Sequence, residues 1–308
     1  MANVTTRDIE IFLTLGSGPQ TLLQIQGELR KFVLRKDPRA VEGGAKVSRN
    51  MTLGALRKRI CLLRKEGFIS SRLYPGWVKG DNGGSLYALT EDALAVLRTQ
   101  GFDSSRMRAF LPDKKLAAHE LLVVEVIKAI KREIGKGFYR CSFEDEHMLR
   151  KSIMLRKRKK GIVFPDLHLS VSFDVDKDEV AKDLGMEVDN GTIAPAAIYD
   201  KCRKMFDHYK WFPCILCNSQ ERIEWLKRVF DEGIQGEMTL ARSDSEREQI
   251  GKYYKVYWFA TVGEFVTKGL LDTKWVNIQG ILGKVIKPPS QSDKKNNKDK
   301  VLWIGKTT

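Results

Sequence analysis

The sequence has no apolar run long enough to cross a membrane. The longest, beginning Glu120-Leu121-Leu122-Val123-Val124, is broken by charge well short of the roughly 20 residues that a crossing needs. The opening residues, Met-Ala-Asn-Val-Thr-Thr-Arg-Asp, carry no apolar signal core, so export is not expected. Cysteine is sparse: five in 308 residues make no disulfide framework, and a reducing cytoplasmic setting is expected. Acidic residues are in the minority, 39 Asp and Glu against 54 Lys and Arg, which gives a formal charge of +15. That imbalance says little about fold but points to an anionic polymer or surface as partner. No long basic amphipathic helix with a Trp/Leu face is present, so nucleic acid is expected rather than a membrane. The plain alternative is a merely basic housekeeping protein, and the acidic cluster described below argues against it.

The length suits two domains, and the pattern divides accordingly. Thr5 or Thr6 can cap a helix with Ile9, Phe12, Leu13 and Leu15 on one side. Gln20-Thr21 starts a second helix, and Asn50-Met51-Thr52 leads into a third, with Leu53, Leu56, Ile60 and Leu63 at 3–4 spacing. The other face of that third helix is Arg57, Lys58, Arg59, Arg64 and Lys65. Phe68 to Tyr74 and Ser85 to Thr90 alternate as two strands around a Gly/Asp/Asn turn, and a closing helix runs to about Thr99. Residues 1–100 therefore read as a winged helix-turn-helix. Its third helix is expected in the major groove, with Lys79 of the wing near the backbone. Lys and Arg without outward Asn or Gln suggest phosphate contacts, with Arg57 or Arg59 able to read a guanine. A protein-interaction role is the competing use of such a module.

Residues 101–115 carry turn formers and charge and read as a linker. From 116 to 285 the expected order is a helix (Leu116–Ile134), three strands, a helix (Pro195–Tyr209), a short apolar strand (Trp211–Cys217) and a helix from Gln220. The three strands centre on Phe138–Glu146, Ile162–Val171 and Ala181–Asp189. Between the first two lies a basic run, Arg150 to Lys160, seven Lys or Arg in eleven residues, including Arg156, Lys157, Arg158, Lys159 and Lys160. It reads as a basic loop beside a substrate groove. Lys252 to Ala260 reads as an aromatic strand that completes the sheet, with stacking on unpaired bases as the alternative, and 286–308 as a basic, flexible tail. A three-stranded meander followed by a crossover helix and a parallel strand is the αβββαβ core of restriction-endonuclease-like nucleases. The expected fold class is thus mixed α/β, with that core behind the winged helix.

Particular residues carry a narrower likeness. Pro165-Asp166, Glu187-Val188-Asp189, Gly191-Thr192, Lys201 and Tyr209 follow in order through the second domain. Upstream stand Thr6-Arg7-Asp8, Leu56-Arg57, Tyr87-Ala88-Leu89-Thr90 and His119. Over roughly residues 5–230 this set resembles the replication-relaxation family of plasmid and mobile-element proteins and the related C-class mobilisation relaxases. The resemblance implies a relaxase or nicking endonuclease acting on double-stranded DNA, with a single-stranded segment at the nick. It brings in His119 and, as a nucleophile for a covalent DNA intermediate, Tyr209.

Phosphodiester cleavage in such a site calls for a divalent ion, Mg²⁺ or Mn²⁺, held by carboxylates. Asp166 and Glu187 at facing strand ends form the minimal pair, with Glu146 as a third ligand and Glu144 or Glu120 as alternatives. The nuclease pattern has a lysine two residues after the glutamate to stabilise the developing anion. Here that position is Asp189, and Lys201 is the candidate substitute. The departure keeps a second function open: a non-catalytic DNA-binding replication or transfer accessory, or a regulator, with a degenerate nuclease core. A homodimer is left open too. Plain structural readings stand beside these. Tyr209 suits the edge of a core, His119 a helix cap, Cys214 and Cys217 buried thiols, and Asp174, Asp176 and Asp178 a solvated turn.

Overall fold

A computed structural model describes residues 4–31, 51–74, 84–105, 107–134, 140–146, 148–150, 163–175 and 178–285. Lys79, the run Arg156 to Lys160, the centre of the acidic turn and the tail 286–308 lie outside those residues. The chain is mixed α/β and forms two compact units, Met1–Val124 and Glu125–Thr308. None of the described helices is long and apolar enough to cross a membrane.

The first unit holds α1 (Thr6–Leu15), α2 (Leu22–Lys31), α3 (Leu53–Lys65), β1 (Ile69–Leu73), β2 (Ser85–Leu89) and α4 (Glu91–Thr99). Capping sets the helix starts. The Thr5 hydroxyl accepts the Asp8 N–H, and the Asp8 carboxylate accepts the Thr5 N–H in return. Thr52 and Thr90 cap α3 and α4 in the same way from their hydroxyls. Leu56, Ile60 and Leu63 recur at helical spacing and bury with Ile11, Phe12 and Leu15 in one core. β1 and β2 pair antiparallel from Ile69↔Leu89 to Leu73↔Ser85. Gln20 adds a single antiparallel bridge to Tyr87. The segment expected as a linker packs onto this unit: the Arg108 N–H donates to the Gly16 carbonyl, and the Tyr74 hydroxyl to the Pro112 carbonyl at 2.5 Å.

The boundary between the units falls inside α5 (Ala117–Ile134). The second unit then runs β3 (Arg140–Asp145), β4 (Leu167–Val175), β5 (Asp178–Asp189), α6 (Pro195–Tyr209), β6 (Phe212–Cys217) and α7 (Gln220–Leu240). After these come α8 (Asp244–Gly251), α9 (Tyr253–Val256), β7 (Trp258–Thr261), α10 (Val262–Lys268), β8 (Trp275–Asn277) and β9 (Leu282–Gly283). One seven-stranded sheet has these strands in chain order, β3 to β9. β3, β4 and β5 form an antiparallel meander, and β6 and β7 lie parallel to β5. The expected succession of meander, crossover helix and parallel strand is therefore present.

The aromatic strand expected over Lys252 to Ala260 is corrected. Residues 253–256 are helical and only Trp258–Thr261 is a strand, which does join the sheet beside β6. Tyr253, Val256 and Tyr257 all bury in the second core, a 3–4 spacing that favours helix over strand.

Two glycines bring α6 down onto the sheet and its neighbour. A Cβ at Gly185 on β5 would stand 3.0 Å from the Met205 sulfur of α6. One at Gly233 on α7 would stand 2.8 Å from the ring of Tyr199, also on α6. Without side chains at these points α6 approaches both partners closely.

Candidate functional site

Strand alternation selects the residues that face α6. On β5, Leu184, Met186 and Val188 point into the buried core, so Asp183, Gly185, Glu187 and Asp189 share the other face. β4 runs antiparallel, with Leu167 opposite Met186, which sets Asp166 beside the end of β5 that carries Glu187. One Asp166 carboxylate oxygen accepts the Val188 N–H at 2.7 Å. Glu146 follows β3, and its N–H donates to the Asp166 carbonyl at 3.0 Å. Asp166 and Glu187 are both buried.

Lys201 comes from the second turn of α6. Its Nζ lies 2.7 Å from each oxygen of the Glu187 carboxylate. Burial opposes the charge on this ammonium. The carboxylates of Glu187, Asp166 and Glu146 outweigh it and hold the pKa well above the usual lysine value. The structure thus brings together Asp166, Glu187 and Lys201, three of the residues read from the sequence, with Glu146 at the margin. Glu146 is also drawn outward: Arg150 Nε donates to it at 2.8 Å. Among the described residues no three or more His, Cys, Asp or Glu side chains gather tightly enough to hold a metal ion. The remaining alternatives have other partners. Glu144 faces His168 Nδ1 at 3.9 Å, and Glu120 pairs with Arg108 at 2.8 Å in the first unit.

Asp189 is committed elsewhere. Arg222, in the first turn of α7, grips it with Nε at 2.6 Å and a second nitrogen at 3.3 Å. The Asp189 side chain also accepts the Gly191 N–H at 2.9 Å. Asp189 and Arg222 are both buried. The residue in the nuclease lysine position is therefore half of a buried ion pair. Arg222 was missed from sequence. The available signal was an arginine just after the Ser219 cap, where a cation opposes the helix dipole unless a carboxylate compensates it.

Tyr209 does not join the pair. Eight residues of helix put it about 12 Å along the axis from Lys201. Its ring stacks on Trp211 (centroids 4.5 Å, 19°), which stacks in turn on His168 (4.2 Å, 22°). Burial pushes its phenol pKa up, away from the phenolate a nucleophile needs. His119 is half-buried in the first turn of α5, in the first unit. Cys214 and Cys217 are buried on β6, with thiol pKa values raised by burial, as core thiols should be.

In the first unit, α3 exposes Arg57, Lys58, Arg64 and Lys65 on one side, with Cys61 between them. Arg59 is removed from that set. Its Nε donates to Asp8 at 2.5 Å and a second nitrogen bonds the other carboxylate oxygen, tying α3 to α1. Asp8 is fully buried, which is why the pair forms inward.

No protein-family model matches the sequence, no curated protein matches it, and no solved structure matches its fold.

Proposed function

We propose that the chain is a DNA-binding relaxase or nicking endonuclease of a mobile element, with a winged helix in its first unit and a restriction-endonuclease-like core in its second. The observation that carries this reading is Lys201. It reaches Glu187 from the crossover helix at 2.7 Å, beside Asp166, and so restores a carboxylate–carboxylate–lysine group whose usual lysine position is lost. Three helices, an antiparallel hairpin, a closing helix and the Gln20↔Tyr87 bridge support the winged-helix reading. The exposed face of Arg57, Lys58, Arg64 and Lys65 would hold duplex phosphates.

Carboxylate oxygens at the ends of adjacent strands suit a hard cation such as Mg²⁺ or Mn²⁺. Asp166 and Glu187 would hold it, and it would supply positive charge against the phosphate and a water of lowered pKa. Lys201 keeps its proton at neutral pH and has three donors, so it can hold Glu187 and still stabilise a developing oxyanion. The test is nicking of a supercoiled plasmid that carries the protein's own origin, with Mg²⁺ or Mn²⁺. Open-circular product is expected from the native chain and not from Asp166→Ala or Glu187→Ala. Full cleavage by both variants would sink the site.

A second reading is a replication or transfer accessory with a degenerate core. It is favoured by Glu146 turning to Arg150, so that the described residues hold no third close carboxylate. The same plasmid would then be bound and left supercoiled.

A further inference from the structure

We infer that Trp225 is a stacking platform for an unpaired nucleobase beside the Glu187 site. The inference rests on the proposed function in taking DNA as the ligand, and on nothing about cleavage. Trp225 sits in the second turn of α7 and is 47% exposed, a large apolar surface to leave in water. One face of its ring is covered by the Arg222 guanidinium, whose carbon lies 4.8 Å from the ring centroid. Arg222 is itself immobilised by Asp189 and by the Ile193 carbonyl, 2.5 Å from one of its nitrogens. The tryptophan therefore rests on a support that cannot swing away, and the entropy cost of presenting a flat ring is already met by the fold. Asp189 stands two residues beyond Glu187 on the same face of β5, about 7 Å along the strand. The platform is thus tied to the strand end that carries the candidate site.

The surroundings select the occupant. Of the α7 positions at spacings of one, three and four from Trp225, Glu221, Arg222, Glu224 and Arg228 are charged, Leu226 is buried and Val229 is half-buried. A protein partner binding through apolar contact needs a contiguous apolar patch, and around Trp225 the charged side chains outnumber the half-buried Val229 and the exposed Ile193. A second copy of the chain would bring another charge of +15 to meet the first. A base needs one aromatic face, tolerates charge around it and is favoured by a cation beneath the ring. This also accounts for Asp189: the residue that displaced the nuclease lysine fixes the arginine on which Trp225 rests.

The test is fluorescence anisotropy of labelled oligo(dT) and of a duplex of equal length, in EDTA so that cleavage plays no part. Trp225→Ala should weaken oligo(dT) binding about tenfold and leave duplex binding within about twofold, with Trp225→Phe keeping most of the affinity. Equal oligo(dT) affinity in the native chain and Trp225→Ala overturns the inference. So does sedimentation showing that Trp225→Ala loses self-association with oligo(dT) binding intact. A chain that stacks oligo(dT) through Trp225 yet nicks no plasmid keeps this inference and loses the nuclease reading. A chain that nicks, with Trp225→Ala binding oligo(dT) normally, does the reverse.

Discussion

Lys201 Nζ lies 2.7 Å from both carboxylate oxygens of Glu187, and the two residues come from different elements, α6 and β5. The contact exists because Gly185, two residues before Glu187, lets Met205 and the rest of α6 settle on the strand. It ties the candidate site to the stability of the second unit.

Lys201→Met should therefore destabilise the second unit. Removing one partner of a buried pair costs about 3–5 kcal/mol, because the other charge is left without compensation. For the second unit that is about 10 °C in Tm, readable by calorimetry. Glu187→Gln in the same chain should recover part of the loss, since the uncompensated charge is gone. The pKa of Lys201 is raised by folding, so its contribution is fully present below the unfolded value near 10.4 and fades only as pH climbs beyond it. The melting temperature of the native chain should show no loss from this pair anywhere between pH 6 and pH 9.

Asp189→Lys restores the lysine of the nuclease pattern in sequence and should not restore it in function. The new ammonium would face Arg222 where a carboxylate had gripped it, in a buried position. We expect a Tm loss at least as large as that of Lys201→Met, and nicking no higher than in the native chain. A gain in nicking would show that position 189 opens to the Glu187 site rather than to Arg222.

The order of elements was legible because each has a strong local cause: threonine and serine caps, 3–4 spacing in α3, alternation in β5, an apolar run in β6. The three-residue group Asp166, Glu187 and Lys201 was legible for a related reason. Strand register and helix pitch place those side chains, and both can be counted along a sequence. What was not legible depends on partners far apart in the chain. Arg59 looks like one more cation on a basic helix until Asp8, 51 residues earlier, is found buried against it. Asp189 looks catalytic until Arg222, 33 residues later, is found holding it. The strand misread over Lys252 to Tyr257 has the same origin, since aromatic residues favour strands locally and a core on one side imposed a helical spacing.

The basic face of α3 should separate from Arg59 in a salt titration. Neutralising Arg57, Lys58, Arg64 or Lys65 singly should lower the slope of log K against log salt by about 0.9 for each DNA phosphate left without its cation, with stability unchanged. Arg59→Ala should instead lower the Tm of the first unit by removing the partner of buried Asp8. A salt slope that falls as much in Arg59→Ala as in Arg57→Ala, at equal Tm, would contradict the inward pair.

Asp8 gives that pair a pH signature. Burial raises the pKa of its carboxyl, but hydrogen bonds from Arg59 and from Thr5 overcome this and leave it below the ordinary value. A carboxyl with a lowered folded pKa adds stability above its unfolded value, about 3.9, and loses it as pH falls through the folded value. The first unit should therefore lose stability below about pH 4. Asp8→Asn should be less stable at pH 7 and show a flatter acid limb, checked by urea denaturation at a series of pH values. Equal acid limbs in the two chains would mean that Asp8 titrates alike folded and unfolded.

Tyr209→Phe discriminates the two nucleophiles that a relaxase-like site allows. A tyrosine nucleophile would have to present its phenolate to a phosphate held through a cation at Asp166 and Glu187. Here the phenol is stacked against Trp211, its pKa is raised by burial, and about 12 Å of helix separates it from Lys201. Phenylalanine keeps the stack and removes only the hydroxyl. If water is the nucleophile, Tyr209→Phe should nick supercoiled plasmid at the native rate within about twofold, and neither chain should leave a phenol-resistant protein–DNA adduct. An adduct formed by the native chain and lost in Tyr209→Phe would reverse the assignment. It would require the C-terminal turn of α6 to release Tyr209 from Trp211 when DNA binds.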